Sequence, residues 1–165
     1  MDEAGVRTRD ETTTAAGGGG GAGRALYEAD EHAWVARQVD ALRSGRLGDL
    51  DRGTLAEHLV EMTVSDRREL RSRLAVLLAH VLKCRHQPER LSKSWRDTIS
   101  DQQEEIAQLL ADIPSLRRQV PDLLPEAYRR AVSMASRETG LPRSAFPAAP
   151  PMSAEEALAY EPPGG

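Results

Sequence analysis

The chain has 165 residues, a formal net charge of −4 and 29% charged side chains. That is enough length for one buried core and too little positive charge for wholesale binding to polyanions. Aromatic residues make up only 4%, and Ala, Leu, Arg and Glu are abundant, a composition that favours helices over strands. No segment reaches the roughly 18 uncharged apolar residues that would cross a bilayer. A single cysteine, Cys84, cannot form an intrachain disulfide, which fits a reducing compartment and predicts a soluble, cytoplasmic protein with no membrane contact.

Residues 1–24 hold the run GGGGGAG and no apolar stretch of the kind a signal peptide needs, and they read as a flexible Gly-rich tail. One all-helical domain is expected over 25–165. Trp34, Val35, Gln38, Ala41 and Leu42 recur at helical spacing up to Ser44 and Gly45, which places a first helix over about Glu28 to Ser44. Asp51, or Thr54 with Glu57, supplies the next helix start. From there Leu55, Leu59, Met62, Leu70, Leu74, Leu77 and Val81 form one stripe that Asp66 interrupts; a kink or a second start capped by Ser65 is open at Thr63 to Asp66, but no proline or glycine forces a break, and the favoured reading is one long helix, bent or straight, ending near Arg85.

Between Leu74 and Leu82 apolar residues go almost all the way round, the pattern of a helix surrounded by partners. Pro88 ends it. Ser92 or Ser94 caps a further helix carrying Trp95, Ile99, Gln102, Ile106, Leu109 and Ile113 four and three apart, which predicts antiparallel packing on the central helix. Pro114 opens a short helical stretch with Leu116 and Val120, and a break is expected near Pro121. A last long helix with Leu124, Ala127, Tyr128, Ala131 and Met134 stops at Gly140. Ser153 and Glu156 form a capping-box pair for a short helix through Tyr160. The expected fold is therefore all-α, an antiparallel bundle of about four main helices with a short C-terminal helix and a disordered N-terminal tail.

The segment HVLKCRHQPERLSKSWRDTISDQQ resembles the pattern HLLKWxYQPxRxSxSWxxTIxEQ of the bacterial domain-of-unknown-function family twenty-nine. The resemblance extends back through Tyr27, Asp30, Trp34, Ser44 to Leu47 and Arg67 to His80. It extends forward through Ile106, Pro114 to Leu116, Tyr128, the ETGL piece at Glu138 to Leu141 and Phe146-Pro147. It implies a small all-helical bacterial protein and brings no activity or catalytic residue with it. The chain departs from the pattern at Cys84, where an aromatic is usual, at His86, Leu91 and Thr63, and at Ala149-Pro150-Pro151.

Four constellations invite a chemical reading. His80 and Cys84, four apart on one helix face, with His86 nearby, offer nitrogen and thiolate ligands, and His58 with Glu57 and Glu61 could supply more from earlier in the chain, but the glutamate-to-histidine spacing of helical di-metal sites is absent, since His58 precedes Glu61. A nucleophilic Cys84 would need its thiol acidity raised, whereas a helix C-terminus disfavours a thiolate. Trp34 and Trp95 lie on apolar stripes and read as core, Trp95 against Leu78 or Leu82. Thr63 to Arg96 carries a local charge of +6, and Lys83, Arg85, Arg90, Lys93 and Arg96 are the candidates for an anion or partner contact.

No metal site, cofactor or catalytic residue is predicted. The expected function is a protein-binding or adaptor module acting on an unidentified protein partner or on itself. One alternative is a nucleic-acid-associated regulator or toxin-antitoxin partner using the basic elbow, and another is a metal-dependent or hydrolytic enzyme using His80, Cys84 or His58.

Overall fold

The computed structural model describes residues 20–163. Within them the secondary structure consists of α-helices and short 3-10 turns: α1 Gly20–Ala29, α2 Glu31–Arg43, α3 Arg52–His86, α4 Lys93–Asp112, α5 Val120–Thr139 and α6 Ala154–Leu158. The protein is all-α. No helix among the described residues is long and apolar enough to cross a membrane. Two compact units divide between Glu61 and Met62.

In the first unit the single helix expected from Glu28 to Ser44 is two. Asp30 has φ −156° and ψ 89°, outside the helical region, and its carboxylate accepts the Ala33 amide; it is an N-cap that separates α1 from α2. Of the expected tail, residues 1–19 lie outside the described residues, while Gly20 to Arg24 belong to α1. Gly23 belongs there for a steric reason. A Cβ on it would come within 2.4 Å of the Asp51 carboxylate, so a larger residue there would require the Asp51 side chain to swing away from the start of α3. Gln38 accepts the Asp51 amide at 2.9 Å, and the Trp34 and His58 rings lie 5.5 Å apart, so α2 and the first turns of α3 run antiparallel.

The second unit holds the main core. Leu74, Leu77, Leu78, Val81 and Leu82 of α3 are each at most 1% exposed, as the all-round apolar pattern predicts. Arg73 meets Glu105 at 3.3 Å and Lys83 lies over Trp95, so α4 is antiparallel to α3. Arg71 reaches Glu126 at 2.9 Å and Lys83 reaches Glu138, so α5 runs parallel to α3, completing an up-down-up arrangement. Ala127, Ala131 and Ala135 of α5 are fully buried; three small residues four apart let its backbone come close to the core. The C-terminal crossing closes the core with Phe146, Met152 and Ala157, and Tyr128 Oη donates to the Pro147 carbonyl at 2.8 Å.

Several local expectations hold, and some differ. α3 is unbroken over 35 residues. Ser92 caps α4 by accepting the Trp95 amide, and Ser153 with Glu156 forms a complete capping box for α6, which ends at Leu158 rather than Tyr160. The break expected near Pro121 is a helix start: Pro121 sits in the first turn of α5, where a missing amide costs nothing, and Pro125 lies inside the helix. Leu42, Leu59 and Met62, read as members of buried-looking stripes, are about half exposed at 48%, 54% and 54%.

Gly140 ends α5 with φ +76°, a left-handed conformation that costs a side chain about 1 kcal/mol. Gly140→Ala is therefore expected to lower the unfolding free energy by about that amount, and Gly48→Ala, at ordinary φ with open space around it, to change it by less than about 0.5 kcal/mol. Urea denaturation of the two variants measures the difference.

Candidate functional site

The residues that carry the family resemblance come together at the C-terminal end of α3. Lys83 is only 4% exposed, although a lysine is among the residues least often buried. Its ammonium donates to Glu138 Oε2 at 2.5 Å and sits 4.4 Å from the centre of the Trp95 ring. One turn on, Gln87 Nε2 donates to the Thr139 carbonyl at 3.2 Å. Thr139 Oγ1 in turn donates to the Ala135 carbonyl and accepts the Leu141 amide, and Ser136 Oγ donates to the Leu141 carbonyl. Two sequence pieces more than fifty residues apart, the K-x-x-x-Q-P run and ETGL, thus form one clasp that holds the end of α3 to the end of α5. The Gln87 Oε1 atom is buried without a partner.

The basic elbow is dispersed. Lys83 points into the core. Arg85 is exposed with its guanidinium 5.6 Å from the Tyr160 ring centre. Arg90 is exposed on the turn Pro88–Arg90. Lys93 lies 2.7 Å from Asp97 on the surface of α4. Arg96 is half-buried, donates to the Pro163 carbonyl at 3.3 Å, and keeps a buried Nε without a partner.

The histidines and the cysteine are likewise separate. Cys84 is 1% exposed, and burial pushes its thiol pKa up, with Lys83 and Arg96 opposing; the protonated, apolar form is the one favoured. His80 Nδ1 donates to the Val76 carbonyl at 3.0 Å, which requires the proton on Nδ1 because a carbonyl only accepts. His86 packs edge-on to Phe146 at 4.8 Å. In the first unit, His58 contacts the Tyr27 hydroxyl at 3.4 Å and the Glu31 carboxylate at 3.5 Å beside the fully buried Trp34. Among the described residues no three His, Cys, Asp or Glu side chains gather where a metal ion could sit. Trp34 is core, as expected, with an unpartnered indole Nε1; Trp95 is half-buried and packs on the core as a platform for Lys83.

A second feature was not legible as a site. The exposed large apolar residues among those described are Val39, Leu42, Leu47, Leu59, Val60 and Met62, all within residues 39–62. In the first unit, α1 covers one side of the α2 and α3 pair, through Tyr27 on Trp34 and His58 and through Arg24 on Glu57. Val39, Leu42 and Leu59 each lie one position beyond the inward-facing Gln38, Ala41 and His58. A one-residue step turns the side chain by about 100°, and in antiparallel helices those two steps point to the same side. These residues therefore share the side opposite α1.

A family model described as Domain of unknown function DUF29 matches residues 26–161, and the chain belongs to that family. No curated protein and no solved structure matches the chain.

Two outcomes test the clasp. Lys83→Ala, which leaves Glu138 without its cation and removes buried methylenes, is expected to destabilise by about 2 kcal/mol, against less than about 0.5 kcal/mol for Lys93→Ala, whose ion pair is exposed; urea denaturation reads both. His80 has its pKa held below the ordinary 6.5, chiefly by burial and then by the Lys83 charge, with the Val76 bond and Glu138 opposing. The folded chain therefore binds this proton less readily than the unfolded chain. Its contribution to stability is complete above the unfolded value and is lost as pH falls below it. Thermal melts between about pH 7.5 and about pH 5 are expected to show a falling Tm, with a shallower fall in His80→Gln.

Proposed function

We propose that the chain is a protein-binding module that acts through the open side of its first unit, and that a second copy of the chain is its occupant. The observation that carries this reading is that, among the described residues, the large exposed apolar side chains all fall within residues 39–62. Single exposed apolar residues are ordinary, but a group of them on one side marks an interaction surface.

The spacing supports a helical occupant. Val35, Val39 and Leu42 on α2, and Leu55 and Leu59 on α3, follow the four-three pattern of a helix-packing seam. Ala36 and Ala56, exposed beside these stripes, are small enough for another helix to come close. Two antiparallel helices with such seams are half of a four-helix bundle, and an identical pair supplies the other half. A twofold dimer also places the same patch on both partners, which satisfies every apolar residue at once. The dispersed basic elbow lends less to a nucleic-acid reading, because Lys83 is held by Glu138 and Lys93 by Asp97.

Sedimentation or light scattering at about 100 µM is expected to find a dimer that dissociates on dilution. The double variant Leu42→Glu, Leu59→Glu is expected to be monomeric at the same concentration with an unchanged helical circular-dichroism spectrum. A monomeric native chain at that concentration rejects self-association. So does a variant that still dimerises.

A further inference from the structure

We infer that a groove between α3 and α5 is a binding site for a small phosphorylated molecule, with Arg130, Arg137 and Arg143 as its phosphate ligands. The groove has a volume of about 460 Å³, within the range of small-molecule sites. Three arginines and three serines, Ser72, Ser133 and Ser136, line it, and Ala75, Val76 and Met134 give it an apolar floor. No aspartate or glutamate lines it.

Local sequence explains how the arginines meet. Arg130, Ser133 and Arg137 stand three and four apart on α5 and share one face of the helix. Gly140 stops the helix and Pro142 turns the chain, so that the short turn Arg143–Ala145 folds back along the same face. Arg143 Nη2 then donates to Ser133 Oγ at 2.6 Å, while that hydroxyl gives its own proton to the Arg129 carbonyl at 3.0 Å. Ser136 Oγ anchors the turn through the Leu141 carbonyl at 2.7 Å. Arg143 is thus held over the groove before any ligand arrives.

The gathering of three arginines on one groove that no carboxylate lines is the decisive point. Four basic side chains of this unit have acidic partners, Arg71 with Glu126, Arg73 with Glu69 and Glu105, Lys83 with Glu138 and Lys93 with Asp97, and others answer to neutral groups, Arg85 to the Tyr160 ring, Arg96 to the Pro163 carbonyl and Arg117 to the Leu110 carbonyl. Glu126 and Glu138 flank the groove arginines in sequence, yet each is turned to a residue of α3. Arg130, Arg137 and Arg143 form no ion pair among the described residues. Three guanidiniums gathered around one concavity repel each other, and a dianionic oxyanion relieves that repulsion while filling their planar forks. They converge on one pocket rather than following a line, which suits the terminal phosphate of a small phosphomonoester better than the repeating backbone of a nucleic acid. The floor of Ala75, Val76 and Met134 suits the uncharged body of such a ligand, for example a nucleobase. This site is independent of the dimer face and lies wholly within the second unit.

The test uses the full-length chain in low-salt buffer, with calorimetric or NMR titration of inorganic phosphate, a nucleoside monophosphate, the corresponding unphosphorylated nucleoside and a short DNA duplex. Saturable binding of the monophosphate is expected, tighter than inorganic phosphate, with no binding of the nucleoside. Each of Arg130→Gln, Arg137→Gln and Arg143→Gln is expected to weaken it about tenfold or more, while Arg118→Gln, an exposed arginine on the turn Pro114–Gln119, leaves it unchanged. All four positions are exposed, so the variants keep the fold, which circular dichroism checks. Absence of saturable binding of either phosphate probe up to about 10 mM overturns the assignment. Equal weakening by Arg118→Gln overturns it too, as does binding confined to the DNA duplex.

Discussion

The second unit of this protein is organised around one buried cation. Lys83 lies on the central helix, 4% exposed, between the face of Trp95 on α4 and the carboxylate of Glu138 on α5. An ammonium removed from water is stable only if its charge is answered on the spot, and here the answers come from two different helices. That requirement sets their alignment. α4 must bring its first turn, and α5 its last, to the same level of α3, which is the up-down-up order the unit adopts. The neighbouring hydrogen bonds of Gln87, Thr139 and Ser136 extend the same constraint into the turn after α5. Glu138 remains 43% exposed on its side chain, so the carboxylate keeps part of its hydration and the pair avoids the full penalty of complete burial.

This arrangement gives the family pattern a physical meaning. The stretch from His80 to Trp95 looked like a place for chemistry because it concentrates a thiol, two imidazoles and several cations. In three dimensions those groups serve different neighbours. Cys84 faces the core, His80 bonds its own helix, His86 meets Phe146, and the cations divide between core and surface. The lysine, the Gln-Pro turn, the capping Ser92 and the tryptophan that carry the resemblance each have a structural task in joining α3, α4 and α5. Two of the positions where the chain departs from the pattern lie near that clasp in sequence: Cys84 is buried, and Leu91 is a partly buried neighbour of the core.

The two proposed surfaces differ in kind because the two units differ in what they bury. The apolar cluster of the second unit runs from Leu70 to Ala157, and its remaining recognition potential is charge, concentrated in the groove of Arg130, Arg137 and Arg143. The first unit buries Trp34 and Ala41 but leaves Val39, Leu42, Leu47 and Leu59 in water. One offers fixed positive charge with acids withheld, which suits an anion; the other offers an apolar side lacking a cover, which suits helices.

The class of fold and most of its punctuation follow from local sequence. Apolar spacing marks α3, α4 and α5, and the capping chemistry of Ser92, Gly140 and the Ser153 and Glu156 pair sets their ends, because these are interactions between residues a few positions apart. Local spacing could not show which side of a stripe is covered. Leu42 and Leu59 have the same pattern as buried leucines, and only the position of α1 decides that they face water. Nor could it assign the cations. Lys83 and Lys93 stand ten residues apart in one basic run, yet one is core and the other surface, because Glu138 arrives from α5. Arg130, Arg137 and Arg143 gather only when the turn after Gly140 folds back on α5. Contacts across such distances depend on where whole helices lie, and that is decided by burial of the common core and by the few buried charges that must find partners within it.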